Sequence, residues 1–447
     1  MSSPHPRRVC LISLGCPKNL VDSETMLGSL PSEDYRVTTR MDEADVVVVN
    51  TCAFLRSARR EARFEIRRAL RWRGRKRGVL VVAGCLVQYC GRRAGDIFSG
   101  ADLLLGAGEG NNLGRLLKEI TPDCSSSPRV RLRPVPRFPL AEPLPRLVST
   151  PRHWAYLRIA DGCENRCSFC LIPSLRGPHR ERPQSRVVEE ARRLAGRGTR
   201  ELVLIAQDTA RYSGWGGLPR LLERLSDIGG IEWIRVLYAH PRHIDDGLLR
   251  SIAALDKVCP YLDLPIQHIN DAILRRMGRK IDSRRLRSVL DRARELVPGI
   301  SLRTTLMVGF PGEGKAEFGR LRDFVRREKF DHLGVFAYSR EKGTRAYRFG
   351  PGVSGDVARR RRDLLLEIQR DISAALLRSR RGETLDVLID GPFPEPGSSL
   401  MAGRGIFQAP EIDGLVVVEG KGISPGDMVR IRVTDSSDYD LYGASVA

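Results

Sequence analysis

The run Val46-Val-Val-Val49 sets the tightest limit on what this chain can fold into. Four consecutive β-branched residues favour an extended strand, and with no polar alternation that strand must be covered on both faces. Similar runs recur at Val9–Leu14, Val79–Ala83 and Leu103–Leu105, with helical stretches between them. Strands buried on both faces and joined by helices belong to parallel sheets with helices on each side. Residues 7–120 are therefore predicted to form an N-terminal parallel α/β domain.

The chain has 447 residues, room for two to four domains on a prior of roughly 100–200 residues each. Its 41% hydrophobic content provides an ordinary globular core. No apolar run approaches the length of a membrane span, and the short polar N-terminus lacks a signal-peptide core, so a cytoplasmic address is expected. Eight prolines fall within residues 121–151, which predicts a linker or an extended crossing segment. Strand–helix alternation resumes over 152–381. Candidate strands are Trp154–Ile159, Glu201–Ala206, Trp233–Tyr238, Tyr261–Ile266, Ser301–Val308 and His332–Tyr338, with a closing helix over 356–381. Six βα units predict a partial (β/α)6 barrel. Residues 382–447 change to short strands (Leu385–Ile389, Leu415–Val418, Met428–Val433) separated by glycine turns, which predicts a small all-β barrel.

Ten cysteines in a chain with a cytoplasmic address suit metal ligation better than disulfides. Cys163, Cys167 and Cys170 follow the first barrel strand in a Cys-x3-Cys-x2-Cys spacing. Thiolates are the usual ligands of iron–sulfur clusters, and three of them hold a four-iron cube with one iron open. The amino-acid end of S-adenosylmethionine is the known external ligand for such an iron. A structural zinc site with His179 as the fourth ligand, or merely packed thiols, are the competing readings. Chemistry in (β/α) barrels sits on the loops after the strands. Gln207, Asp208, His240, Gln267, His268 and the Gly309–Glu313 turn all fall at strand ends. Of these, Gln207, Asp208, Gln267 and Gly309 are the cofactor-binding candidates, with capping or packing as the alternative for each.

Cys16, Cys52 and Cys85 each close an apolar strand of the N-terminal domain. Parallel strands present their C-terminal ends along one edge, the usual binding edge of such sheets. Three thiolates are expected to converge there, and Gly15 and Gly84 would let the backbone approach a second cluster closely. The alternative is coincidence among buried cysteines. Cys10, Cys90, Cys124 and Cys259 match no such pattern.

Taken together, Ser13-Leu-Gly-Cys16-Pro-Lys-Asn-Leu-Val-Asp-Ser-Glu24, Asn50-Thr-Cys52, Ala83-Gly-Cys85 and the Asp161–Cys170 segment resemble the methylthiotransferases. The resemblance spans nearly the whole chain. It implies an N-terminal methylthiotransferase domain, a radical S-adenosylmethionine core and a C-terminal TRAM domain. The string from Gly15 to Glu24 is closest to the ribosomal branch, and the tRNA branch typically has Gly-Cys-Gln-Met-Asn there. Leu204–Thr209, Tyr238–Pro241 and Leu264–His268 also resemble the ribosomal branch. The resemblance implies two [4Fe-4S] clusters, and methylthiolation of an aspartate β-carbon in small-subunit ribosomal protein S-twelve. The cluster at Cys163, Cys167 and Cys170 would cleave S-adenosylmethionine to a 5′-deoxyadenosyl radical that abstracts hydrogen from the substrate. The cluster at Cys16, Cys52 and Cys85 would supply the sulfur. An electron donor and a sulfur donor are then required. A tRNA methylthiotransferase is the alternative. A plain electron carrier fits poorly, because carriers close their clusters with four ligands.

Charge separates these readings. The chain carries a net +21, yet residues 382–447 hold eleven acids and four bases, a net of −7. An acidic tail is poorly suited to phosphates and well suited to a basic protein, unless it only aids solubility. Arg56–Arg77 carries eleven Lys or Arg against two acids. It is either a solvated helix face or a contact with ribosomal RNA.

Overall fold

The computed structural model describes residues 5–120, 127–134, 145–395 and 399–446. Cys124 and much of the proline-rich stretch lie outside the described residues. The chain forms two compact units. One comprises Met1–Ser149, Ala160–Arg186 and Glu341–Thr344; the other comprises Thr150–Ile159, Val187–Arg340 and Arg345–Ala447.

In the first unit, strands β1 (Arg7–Ser13), β2 (Tyr35–Val37), β3 (Val46–Thr51), β4 (Val79–Gly84), β5 (Leu103–Leu105) and β6 (Arg129–Arg131) form one sheet. Its order is β2-β1-β3-β4-β5-β6, and every pairing is parallel. Helices α1 (Pro17–Gly28), α2 (Arg56–Lys76), α3 (Cys85–Cys90), α4 (Ala94–Ile97) and α5 (Leu113–Lys118) connect the strands. Val46 to Val49 are all fully buried. Val47 and Val49 pack in a core with Ile66, Trp72 and Leu86, whereas Val46 and Val48 pack in another with Met26, Leu113 and Leu117. Alternate residues of one strand thus feed two cores, as a sheet covered on both faces requires. β6 falls inside the stretch expected to be a linker: Arg129–Arg131 adds an edge strand to β5.

The same unit holds the segment Ala160–Arg186. Its two-residue strands β8 (Ala160–Asp161) and β9 (Arg180–Glu181) pair antiparallel, closing a loop that contains helix α6 (Ile172–Arg176).

In the second unit, β7 (Trp154–Arg158), β10 (Glu201–Ile205), β11 (Trp233–Val236), β12 (Val258–Gln267), β13 (Ser301–Val308) and β14 (His332–Ala337) pair in parallel in the order β14-β13-β12-β11-β10-β7. The intervening helices are α7 (Gln184–Gly196), α8 (Gly217–Ser226), α9 (Asp246–Ala254), α10 (Asp271–Met277), α11 (Ser283–Leu296) and α12 (Lys315–Glu328); α13 (Gly355–Ser379) follows β14. This is the expected six-unit partial barrel. The tail forms a closed five-stranded barrel, β15 (Thr384–Pro392), β16 (Met401–Gly405), β17 (Val416–Glu419), β18 (Met428–Ser436) and β19 (Leu441–Ser445), in the order β15-β16-β17-β19-β18.

The end of β16 and the segment that leads from it to β17 reach the N-terminal ends of the six parallel strands. Arg404 joins Glu201, the first residue of β10, and Arg235 of β11 binds the other oxygen of Glu201. Asp413 accepts from Tyr261 at 2.7 Å and pairs with Arg303, while Glu411 accepts from Tyr156 at 2.8 Å. His332, which opens β14, bonds the Phe407 carbonyl at 2.8 Å. Glu201 and Arg235 are completely buried, so these charges depend on one another for solvation.

Candidate active site

Strand order places the first three cysteines. The chain leaves β1 toward β2 on one side and reaches β3 on the other, so the crevice between β1 and β3 is a topological switch point, where such sheets bind ligands. Cys16 follows β1, Cys52 follows β3 and Cys85 follows the adjacent β4. Gly15 has φ +101°, and a Cβ there would stand 2.6 Å from the Cys52 Cβ. Gly84 has φ +93° and presses on the Asn50 side chain. Both positions need the left-handed freedom of glycine and have no room for a side chain.

Polar groups fix this edge from behind. Thr51 Oγ1 donates to the Ala83 carbonyl at 2.6 Å and accepts from Leu86 N at 3.1 Å, holding the start of the Cys85 helix against β3. Asn50 Nδ2 donates to Ser23 Oγ and the Asn19 carbonyl, and Asn19 Nδ2 donates to the Leu14 carbonyl at 2.6 Å. The three thiols lie close enough to perturb one another, and all feel Arg176. Burial pushes the Cys85 thiol up to about 12, with Arg176 the largest charge opposing it. Burial likewise raises Cys52.

The second three cysteines share one loop. Gly162, at φ +78°, packs against the Pro178 carbonyl, and Cys163 N donates to the Gly177 carbonyl at 3.1 Å. Asn165 N points at Cys163 Sγ (3.5 Å) and Ile172 N at Cys170 Sγ (3.4 Å), as suits sulfur that carries negative charge. His179 is engaged with Glu181 at 3.1 Å. Among the described residues, no three His, Cys, Asp or Glu side chains are grouped to hold a single metal ion. A four-iron cube takes each thiolate on a different iron, and both sites fit it: three cysteines each, glycine where the backbone comes close, and amide donors or a buried cation beside the sulfurs.

The barrel-end candidates lie in the second unit. Asp208 is buried and already committed: its Oδ1 accepts from His240 N at 3.1 Å and its Oδ2 contacts His243 Nδ1 at 2.8 Å. Burial, with Arg279 nearby, holds His240 neutral. Gln207 and Gln267 are half-buried at the ends of β10 and β12, and Gln267 takes an unusual φ of +73°. Gly309 follows β13 at φ +77°, where a Cβ would come within 2.8 Å of Ala358 Cβ. Its N–H donates to Glu313 Oε1, which also binds Arg361, and Glu313 Oε2 lies 3.4 Å from His268 Nε2. Residues missed by sequence reasoning include Arg176 and Asp22. Nothing marks Arg176 among 75 Lys and Arg, although Asp22 stands inside the Cys16 string.

The tail's acids divide in the structure. Asp390, Glu411 and Asp413 are bound internally to Arg404, Tyr156 and Arg303. Exposed Glu383, Asp435 and Asp438 pair with Arg380, Arg381 and Arg370, and Asp386 pairs with Arg430. Four of these acids, Glu383, Asp413, Asp435 and Asp438, pair with bases outside the tail, which offsets part of the −7.

Comparison with known proteins agrees with this architecture. Residues 8–106 match the uncharacterized protein family UPF0004, residues 157–325 the radical SAM superfamily and residues 382–446 the TRAM domain. The fold is shared with the radical S-adenosylmethionine methyltransferase TsrM from Kitasatospora setae, at TM-score 0.56 and 16% identity, covering 74% of this chain and 72% of that one. It is also shared with the cobalamin-dependent radical enzyme OxsB, at TM-score 0.53 and 13% identity, covering 81% and 56%. The family matches and the fold together define a radical S-adenosylmethionine enzyme built on three modules. The chain is 43% identical over 454 residues to the ribosomal protein uS12 methylthiotransferase RimO of Geotalea uraniireducens, covering all of both chains. It is likewise 43% identical over 450 residues to that of Geobacter sulfurreducens, covering 98% and 99%. It belongs to the RimO family of uS12 methylthiotransferases.

Proposed function

We propose that this protein adds a methylthio group to the β-carbon of an aspartate in ribosomal protein uS12, in the cytoplasm. The observation that carries the reading is full-length identity to RimO proteins, with two three-cysteine sites inside one compact unit. When bound, a [4Fe-4S] cluster at Cys163, Cys167 and Cys170 supplies the electron that cleaves S-adenosylmethionine, and one at Cys16, Cys52 and Cys85 supplies the sulfur. The chain's own residues do the positioning. Gly15 and Gly84 admit the second cluster, Thr51 holds the Cys85 helix, and the amides of Asn165 and Ile172 support the first. Gln207, Gln267 and Gly309 are assigned to the S-adenosylmethionine pocket. Asp208 is assigned there through the His240 and His243 segment that it fixes. An electron donor and a sulfur donor complete the cycle.

A ribosomal protein is a basic substrate, and two surfaces of the chain suit such a protein or the RNA beside it. Exposed Glu395 and Glu419 of the tail offer the basic protein a weak attraction. The stronger feature is α2. Ala62, Ile66, Ala69 and Trp72 face the core, and Arg59 and Arg73 are tied to Glu341 and Asp102. Arg60, Arg63, Arg67, Arg71 and Arg75 remain exposed around Phe64, which is 61% exposed, a combination suited to phosphates and an unstacked base. Replacing Arg60, Arg63 and Arg67 by Glu is expected to slow modification of assembled small subunits and flatten its salt dependence, with free uS12 unaffected. The decisive test is mass spectrometry of uS12 and tRNA from a strain lacking this gene. Loss of a methylthio mass from uS12 is expected. Loss from tRNA alone would overturn the reading.

A further inference from the structure

Arg176 ends α6, six residues after Cys170, and its side chain is 1% exposed. Its Nη1 donates to Asp161 Oδ2 at 2.8 Å. Asp161 stands two residues before Cys163, and its other oxygen accepts from Gly162 N at 2.7 Å, fixing the turn into the first cysteine loop. Arg176 Nη2 donates to Asp22 Oδ2 at 2.6 Å and Asn19 Oδ1 at 3.4 Å, both on α1, whose N-cap is Cys16. Leu171, the N-cap of α6, and Leu175 within it share a core with Cys85 and Leu86, so the helix itself is seated against the second site. One guanidinium therefore touches the frames of both cysteine sites.

We propose that Arg176 is a positioning residue that locks the two cluster-binding segments together and sets the electron affinity of the second cluster. The inference rests on the assignment of Cys16, Cys52 and Cys85 as that cluster's ligands. An arginine suits this place because its rigid planar fork holds separate nitrogens toward the two carboxylates, whereas an ammonium's three donors all radiate from one rotatable nitrogen. Buried Asp161 and half-buried Asp22 hold it, and it stays charged despite complete burial. The potential of an iron–sulfur cluster follows net charge and hydrogen bonding around it. A buried cation beside the thiolates favours the reduced, more negative state, and the Asp22 carboxylate works the other way. The thiols of Cys16, Cys52 and Cys85 all lie within its field.

The test uses the full chain with Cys163, Cys167 and Cys170 replaced by Ala, reconstituted with iron and sulfide, so that only the second site takes iron. Midpoint potentials are read by electron paramagnetic resonance. Arg176→Met is expected to make reduction about tenfold less favourable, roughly 59 mV for one electron. Asp22→Asn is expected to shift it the opposite way. Arg176→Lys should restore most of the potential but not the fork, and in the full-cysteine enzyme it should lower product yield per S-adenosylmethionine cleaved. Equal potentials across parent, Arg176→Met and Asp22→Asn, or shifts of one sign, would overturn the inference. Should Arg176→Met fail to fold, Asp22→Asn alone still decides it. A parent that binds no iron sinks the ligand assignment as well, whereas iron with unmoved potentials sinks only the role of Arg176.

Discussion

The loop with Cys163, Cys167 and Cys170 and the sheet edge with Cys16, Cys52 and Cys85 offer the same three ligands in opposite ways. The loop brings its thiols together by short spacing and aims its own amides at two of them. The sheet edge gathers residues 36 and 33 positions apart in sequence, using strand order and two left-handed glycines. A site built by local chain geometry can persist when distant packing loosens. A site built by sheet register fails with the sheet.

The largest expected effect separates the two sites by function. Cys163→Ala should abolish release of 5′-deoxyadenosine from S-adenosylmethionine, and Cys52→Ala should leave that release intact while stopping methylthio product. If both variants still form product, the two assignments are wrong. Next comes the backbone. Gly15→Ala drives a methyl into Cys52 and should cost most of the iron at the sheet edge while sparing the loop. Gly162→Ala should do the reverse. Equal losses at both sites from either variant would break the comparison.

The loop was legible because spacing alone marks it. The sheet edge was legible one step less directly: each cysteine visibly closes an apolar strand, but the switch point between β1 and β3 depends on strand order, which no local pattern encodes. Arg176 was not legible at all, since its partners, Asp22 and Asp161, lie 154 and 15 residues away. In the tail, β16 (Met401–Gly405) was missed for a related reason. Gly403 must lack a side chain where Val387 crowds it, so the strand has no alternating apolar pattern to read.

Smaller effects sharpen the contrast. Thr51→Val keeps the shape but leaves Ala83 O and Leu86 N without their partner, a cost of about 1–3 kcal/mol. Chemical denaturation of the variant should show that loss, with sheet-edge iron falling before loop iron. The smallest effect is in pH. In protein stripped of iron, burial raises the folded Cys85 thiol from 9.0 to about 12. A raised pKa gives stability that is full below the unfolded value and lost as pH climbs toward the folded one. Stability should therefore fall between pH 9.0 and about 12, and Cys85→Ala should flatten that decline. An unchanged slope would show that the thiol is not shielded.

The segment from Arg404 to Asp413 has a consequence for how such proteins are inherited and rebuilt. The tail's match begins at residue 382, but its charges complete Glu201, Tyr261 and Arg303 beneath the six parallel strands. A tail transplanted from a relative would have to bring matching partners for each, or leave buried carboxylates and a guanidinium stranded. Tail and barrel should therefore change together over evolutionary time, and chimaeras joined near residue 382 should express poorly unless the floor of the barrel is exchanged with them.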